Sequence, residues 1–104
     1  MGNSKERVTI VVHGKVQGVF FRKHTLEKAQ SLLLTGYVRN TGNGSVTIVA
    51  EGPSDDLRAL AAWCQKGPPL AEVASVDTTF EPAQNEYTSF RIRYDEGESQ
   101  GGIG

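Results

Sequence analysis

Residues 14–22, Gly-Lys-Val-Gln-Gly-Val-Phe-Phe-Arg, join a β-forming run to a helix-forming run. The run before them, Val8-Thr9-Ile10-Val11-Val12, is β-branched throughout. The run after them carries Phe21, Thr25, Ala29, Leu32 and Leu33 at helical spacing, an apolar stripe. A strand that feeds a helix through a short glycine loop restricts everything downstream. The crossover is right-handed, so the next strand in the same sheet must return parallel to the first.

The remaining punctuation completes a pattern. Strand one spans 8–13, and helix one spans about 21–33, with Gly36 as its breaker. Strand two covers 37–40 and is followed by the turn Thr41-Gly42-Asn43-Gly44, where Asn-Gly is a strong hairpin signal. Strand three covers 45–51. Ser54 is the expected N-cap of helix two, with Asp55 and Asp56 suited to the positive end of its dipole. Leu57, Leu60, Ala61 and Cys64 form that helix's buried stripe, and Gly67-Pro68-Pro69 ends it. A fourth strand lies within 73–80. A fifth, 90–94, alternates apolar residues with Arg91 and Arg93.

The order β-α-β-β-α-β plus a C-terminal strand predicts an α+β, ferredoxin-like sandwich. Two helices cover one face of a mainly antiparallel sheet. Strands one and two run parallel with strand three between them. Their C-terminal ends then share one sheet edge, which brings the 14–22 loop and Asn40 together.

That edge carries chemistry. Helix one has no Ser, Thr, Asp or Asn at its start, so no local side chain caps its first N–H groups. Uncapped donors beside the fixed charge of Arg22 suit an anion. The residues alone equally allow an ordinary strand-to-helix turn with water on those donors. Arg22 could be a surface arginine, and Asn40 could simply end a strand. As a reactive-site group, Asn40 can donate and accept hydrogen bonds at once and so hold a water in one orientation. The loop is neither a Walker sequence, which ends in Gly-Lys-Ser/Thr, nor a dinucleotide fingerprint.

Bulk properties exclude several classes. Eleven Lys and Arg against twelve Asp and Glu give a formal net charge of -1, poor material for a nucleic-acid binder. Strand three lacks the aromatic residues of an RNA recognition motif. A lone cysteine closes no intrachain disulfide and fits a reducing, cytoplasmic setting. No apolar run reaches membrane-spanning length, and the start lacks an apolar signal core. Glu6 breaks a myristoylation-like start, and Asn43-Gly44-Ser45 reads as a turn rather than a glycosylation site. The 104 residues make one domain, 1–104, with an ordered core of about 7–95, fraying termini and a monomeric state. Cys64 lacks an arginine at the Cys-x5-Arg spacing and reads as core, while His13 and His24 lack ligand spacing.

The loop matches the pattern Gly-x-Val-Gln-Gly-Val-x-x-Arg and so resembles the acylphosphatase signature. Thr35-Gly36-Tyr37-Val38-Arg39-Asn40, then Gly44-Ser45-Val46 and Glu51-Gly52, resemble that family's second block. The similarity continues through Trp63, Gly67-Pro68 and Phe90-Arg91-Ile92, from about residue 8 to 94. The resemblance implies hydrolysis of a carboxylate–phosphate anhydride, a small-molecule substrate, and neither cofactor nor metal. It further implies that the amides of Lys15, Val16, Gln17, Gly18 and Val19, with the Arg22 side chain, bind the phosphoryl group while Asn40 orients the attacking water. A substrate-assisted proton transfer goes with it. Tyr37, Leu33 and Cys64 depart from the family's usual residues (Trp, Gly and an aliphatic) without touching the expected site. The rival reading is a non-catalytic ferredoxin-like module that binds or senses a small anion.

Overall fold

The structure, a computed structural model, describes residues 5–94; the expectations for the extreme termini lie outside the described residues. Its elements are β1 (Lys5–Lys15), α1 (Phe21–Ser31), β2 (Thr35–Asn40), β3 (Val46–Pro53), α2 (Ser54–Cys64), β4 (Glu72–Pro82) and β5 (Phe90–Arg93). The sheet order is β4-β1-β3-β2-β5. β3 runs antiparallel to both β1 and β2, so those two are parallel to each other, as the crossover rule requires. β2 and β5 also pair in parallel, while β1 and β4 are antiparallel.

Alternation decides what the sheet buries. Val8, Ile10 and Val12 of β1, Val38 of β2, and Val46, Ile48 and Ala50 of β3 share one face and are fully buried. Both helices press on that face. α1 contributes Phe21, Thr25 and Ala29, and α2 contributes Leu57, Leu60 and Cys64. Each fully buried Val, Leu, Ile or Phe side chain contributes about 1.5–3 kcal/mol. Phe21 and Trp63 meet between the helices at 5.5 Å between ring centroids. The Thr25 hydroxyl, buried in this core, donates to the Phe21 carbonyl at 2.8 Å and so loses nothing by burial.

Several expected boundaries move. β1 runs on past residue 13 to Lys15 because β4 is long enough to pair with it, with a register shift between His13 and Gly14. α1 ends at Ser31, and Leu33 leaves the apolar stripe: it is 87% exposed with φ +58. Leu33 N–H donates to the Gln30 carbonyl and Leu34 N–H to the Ala29 carbonyl, both at 3.0 Å, a Schellman termination in which Leu holds the left-handed position. Gly36 is a strand residue, not a breaker. Its φ is +137, and a Cβ there would lie 1.9 Å from the Val49 carbonyl oxygen, so any side chain would push β2 off β3. Ser54 is the first helical residue; Pro53, extended at φ -62 and ψ 140, holds the cap position. The acidic pair Asp55 and Asp56 does occupy the first turn of α2. The hairpin forms over residues 41–45, and Asn43 acts through its side chain rather than a left-handed backbone. Its Oδ1 accepts from the Thr41 hydroxyl at 2.8 Å and from Ser45 N–H at 3.1 Å.

Leu33→Gly is expected to stabilise the protein by about 1 kcal/mol, because a branched residue in the left-handed region costs about that much and little burial is lost. Thermal melting checks this; a lower melting temperature in the variant contradicts it.

A partly buried ion pair closes the sheet end remote from residue 40. Arg7 Nε donates to Glu51 Oε2 at 2.9 Å, and Gln84 N–H donates to the same oxygen at 2.8 Å. A second Arg7 nitrogen bonds Glu86. The segment leading into β5 is thereby tied to β1 and β3. Burial pushes the Glu51 pKa up, but the Gln84 N–H and the Arg7 guanidinium outweigh it and hold the carboxylate below its ordinary 4.5. A depressed folded pKa contributes stability that is complete above about 4.5 and lost as pH falls through the folded value. The melting-temperature gap between wild type and Glu51→Gln should therefore be wide at pH 7 and narrow as the pH falls below 4.5 and through the folded pKa. An equal gap throughout would show that the charge of Glu51 adds nothing.

Candidate active site

The site starts at the bulge in β1. Gly14 has φ +128, and a Cβ there would meet the Glu72 carbonyl oxygen at 2.3 Å. Only glycine lets β4 approach so closely while β1 turns out of the sheet. The loop that follows is pinned at alternate points. Val16 and Val19 bury their side chains in the core, at 1% and 6% exposure, which holds the backbone between them against the sheet end. Phe20 then takes φ +62 and ψ 25 and caps α1 with no side-chain hydrogen bond, as expected for this start. No acidic residue occupies the first turn. The positive end of the α1 dipole is thus uncompensated by side chains of its own first turn.

Register brings the distant partner into place. Val12 of β1 and Asn40 of β2 both pair with Val46 of β3. Asn40 therefore lies in the same cross-strand row as Val12, two strands over, beside the loop that leaves β1. It is 8% exposed, a buried polar residue at the sheet edge.

One contact fastens the two halves together. Gln17 Nε2 donates to the carbonyls of Thr41 at 2.8 Å and Ser45 at 2.9 Å, binding the loop to the β2–β3 turn directly after Asn40. Within that turn Thr41 N–H donates to the Ser45 carbonyl at 2.9 Å, and the Thr41 and Ser45 hydroxyls bond each other. The resemblance implies only a backbone role for Gln17. Its side-chain bonds join positions 24 and 28 residues apart, which no local signal encodes.

The result is a cavity of about 280 Å³ at the C-terminal edge of β1 and β2. Gly18, Arg22 and Asn40 all line it, so the structure brings together the arginine, the carboxamide and the loop. Val16 lines it as well, whereas Lys15 ends β1, Gln17 reaches for the turn, and Val19 points into the core. Sequence reading missed five lining residues: Phe20, Phe21, Lys23, Ile92 and Tyr94. Two of them arrive on β5 and the residue after it, visible only once β5 pairs with β2. The Arg22 guanidinium carbon stands 4.9 Å from the centre of the Tyr94 ring, a cation–π contact that restrains the side chain.

The other candidates lie elsewhere. Cys64 is fully buried in the core, and burial pushes its thiol pKa up to about 12, so it is no thiolate nucleophile. His13 faces Asp77 at 3.2 Å on the β1–β4 surface, and His24 lies 3.8 Å from Glu27 on α1. Among the described residues no three His, Cys, Asp or Glu side chains cluster as metal ligands. No described helix is long and apolar enough to cross a membrane.

Fold and site together define a ferredoxin-like α/β sandwich with a cationic cavity at one sheet edge. The acylphosphatase family profile matches residues 8–92. The chain is 44% identical to an acylphosphatase of Methylococcus capsulatus over 90 residues, 86% of this chain and 98% of that one. It is 50% identical to one from Marinobacter nauticus over 85 residues, 82% of this chain and 92% of that one. The solved acylphosphatase of Coxiella burnetii superposes with a TM-score of 0.81 at 41% identity, covering 86% of this chain and 94% of that one. The chain belongs to the acylphosphatase family, and it is an enzyme, which disfavours the non-catalytic module. The reaction is hydrolysis of acyl phosphates, and the substrate is a small molecule.

Proposed function

We propose that the cavity at the β1–β2 edge hydrolyses acyl phosphates through Arg22, Asn40 and the loop amides from Lys15 to Val19, with no metal. The observation that carries this reading is the convergence of Gly18, Arg22 and Asn40 on one cavity at a helix N-terminus. Water attacks phosphorus, the bond from phosphorus to the carboxylate oxygen breaks, and the carboxylate leaves with that bonding pair. A carboxylate is a weak base, so no general acid need protonate it. The water proton passes to an oxygen of the phosphoryl group itself. Positioning and charge stabilisation remain as the protein's task, which a guanidinium and backbone N–H groups perform as charge spreads over the phosphoryl oxygens. Asn40 holds the water by donating and accepting at once.

The donor set supports the absence of a metal. Among the described residues no carboxylate, imidazole or thiol lines the cavity, while Arg22 and Lys23 do, and a divalent cation would be repelled by them. The chain is further proposed to act as one domain, as a monomer, in a reducing cytoplasm and without nucleic acid. The lone buried thiol supports the reducing setting, and the absence of aromatic residues on β3 supports the absence of nucleic acid.

An assay of benzoyl phosphate hydrolysis in excess chelator tests the proposal. Turnover is expected with chelator present, with kcat nearly flat from about pH 5.5 to 7.5 because no histidine lines the site. Inorganic phosphate should inhibit competitively. Loss of turnover with chelator, restored by a divalent metal, would sink the metal-free reading.

A further inference from the structure

Phe20 is an exposed aromatic residue held in a strained backbone. Its φ of +62 lies in the left-handed region, which costs a bulky residue stability, and its side chain is 64% exposed, so core packing does not repay that cost. The fold needs this backbone conformation to start α1, but glycine or asparagine would supply it more cheaply. Phe20 also lines the cavity that holds Arg22 and Asn40. Tyr94 lines the same cavity, 58% exposed, with the Arg22 guanidinium over its ring. Ile92 of β5, partly buried against the core, lines the cavity as well. Val16 and Phe21 also line the cavity but are almost fully buried, so Phe20, Ile92 and Tyr94 present its accessible apolar surface.

Resting on the phosphoryl site proposed above, we infer that Phe20 and Tyr94, backed by Ile92, receive the acyl group and favour acyl phosphates with an aromatic or bulky apolar acyl part. The phosphoryl group is held by charge and amides, so the acyl group, attached through one oxygen, must lie against what remains of the lining. Apart from Lys23, whose charge sides with Arg22 on the phosphoryl group, the accessible remainder is the two aromatic side chains and a branched aliphatic one. An aryl group gains contact area there that a methyl group cannot reach. The acyl group is the leaving group, and discrimination between acyl groups rests on pocket contacts of this kind.

The test is the ratio of kcat/KM for benzoyl phosphate to that for acetyl phosphate. Damage at the phosphoryl end lowers both values together and leaves the ratio alone. In wild type the ratio should exceed unity by roughly tenfold or more. In Phe20→Ala it should fall by at least roughly fivefold, through a raised KM for benzoyl phosphate, and Phe20→Tyr should restore it. An unchanged ratio in Phe20→Ala overturns the inference, as does a ratio near unity in wild type. Failure of the underlying site has a separate signature: Arg22→Ala would then keep its activity on both substrates.

Discussion

Arg22→Ala is expected to lower kcat for benzoyl phosphate by at least roughly 10²-fold. The guanidinium is the one side chain that unites three properties at this edge. It lies in the second position of α1, lines the cavity beside Gly18, and is braced by the Tyr94 ring at 4.9 Å. In the transition state charge spreads over the phosphoryl oxygens, and a planar fork of N–H donors follows that spread better than a point charge. Arg22→Lys should accordingly recover only part of the loss. The side chain is partly exposed and takes no share in the core, so the melting temperature should move little. Near wild-type turnover in a well-folded Arg22→Ala would remove phosphoryl stabilisation from this residue altogether.

Asn40→Ala should cost a similar factor, on the order of 10² in kcat, but with a different signature. Its carboxamide is assigned to the attacking water, not to the bound phosphoryl group. Inhibition by inorganic phosphate should therefore survive in Asn40→Ala and weaken in Arg22→Ala. Asn40 ends β2 in register with Val46 and is nearly buried, so its side chain is placed by the sheet rather than by loop motion. Asn40→Ala keeps the backbone pairing that sets that register. A kcat within about threefold of wild type would rule out water alignment by this residue.

The two variants probe a site whose parts differ in how they can be read. The apolar stripe of α1 and the alternation of β1 are local patterns, so Phe21, Thr25 and Ala29, and Val8, Ile10 and Val12, are legible directly. The uncapped start of α1 is legible too, because it consists of residue types that are absent. The end of α1 is not. Leu32-Leu33-Leu34 continues the helical period, yet Leu33 turns left-handed because Leu34 must enter the core at 3% exposure and lead into β2. Tertiary placement outweighs the local preference there. Gly36 misleads for a related reason. It punctuates the sequence like a breaker, but its role is a close approach to Val49 across the sheet, a contact with a residue of another strand. Ser54 follows the cap rule by composition, but β3 extends through Pro53 and the helix begins one residue earlier than that rule allows.

Chain order alone determined the ferredoxin-like topology, the parallel relation of β1 and β2, and hence the meeting of Arg22 with Asn40. Those follow from handedness and alternation, which act over a few residues and leave few arrangements open. What only the tertiary structure decided is how that meeting point is enclosed. The Gln17 side chain reaches the carbonyls of Thr41 and Ser45, and the pairing of β5 with β2 carries Ile92 and Tyr94 to the cavity wall. Such contacts depend on distances set by packing between elements far apart in the chain, and no spacing within a single segment records them.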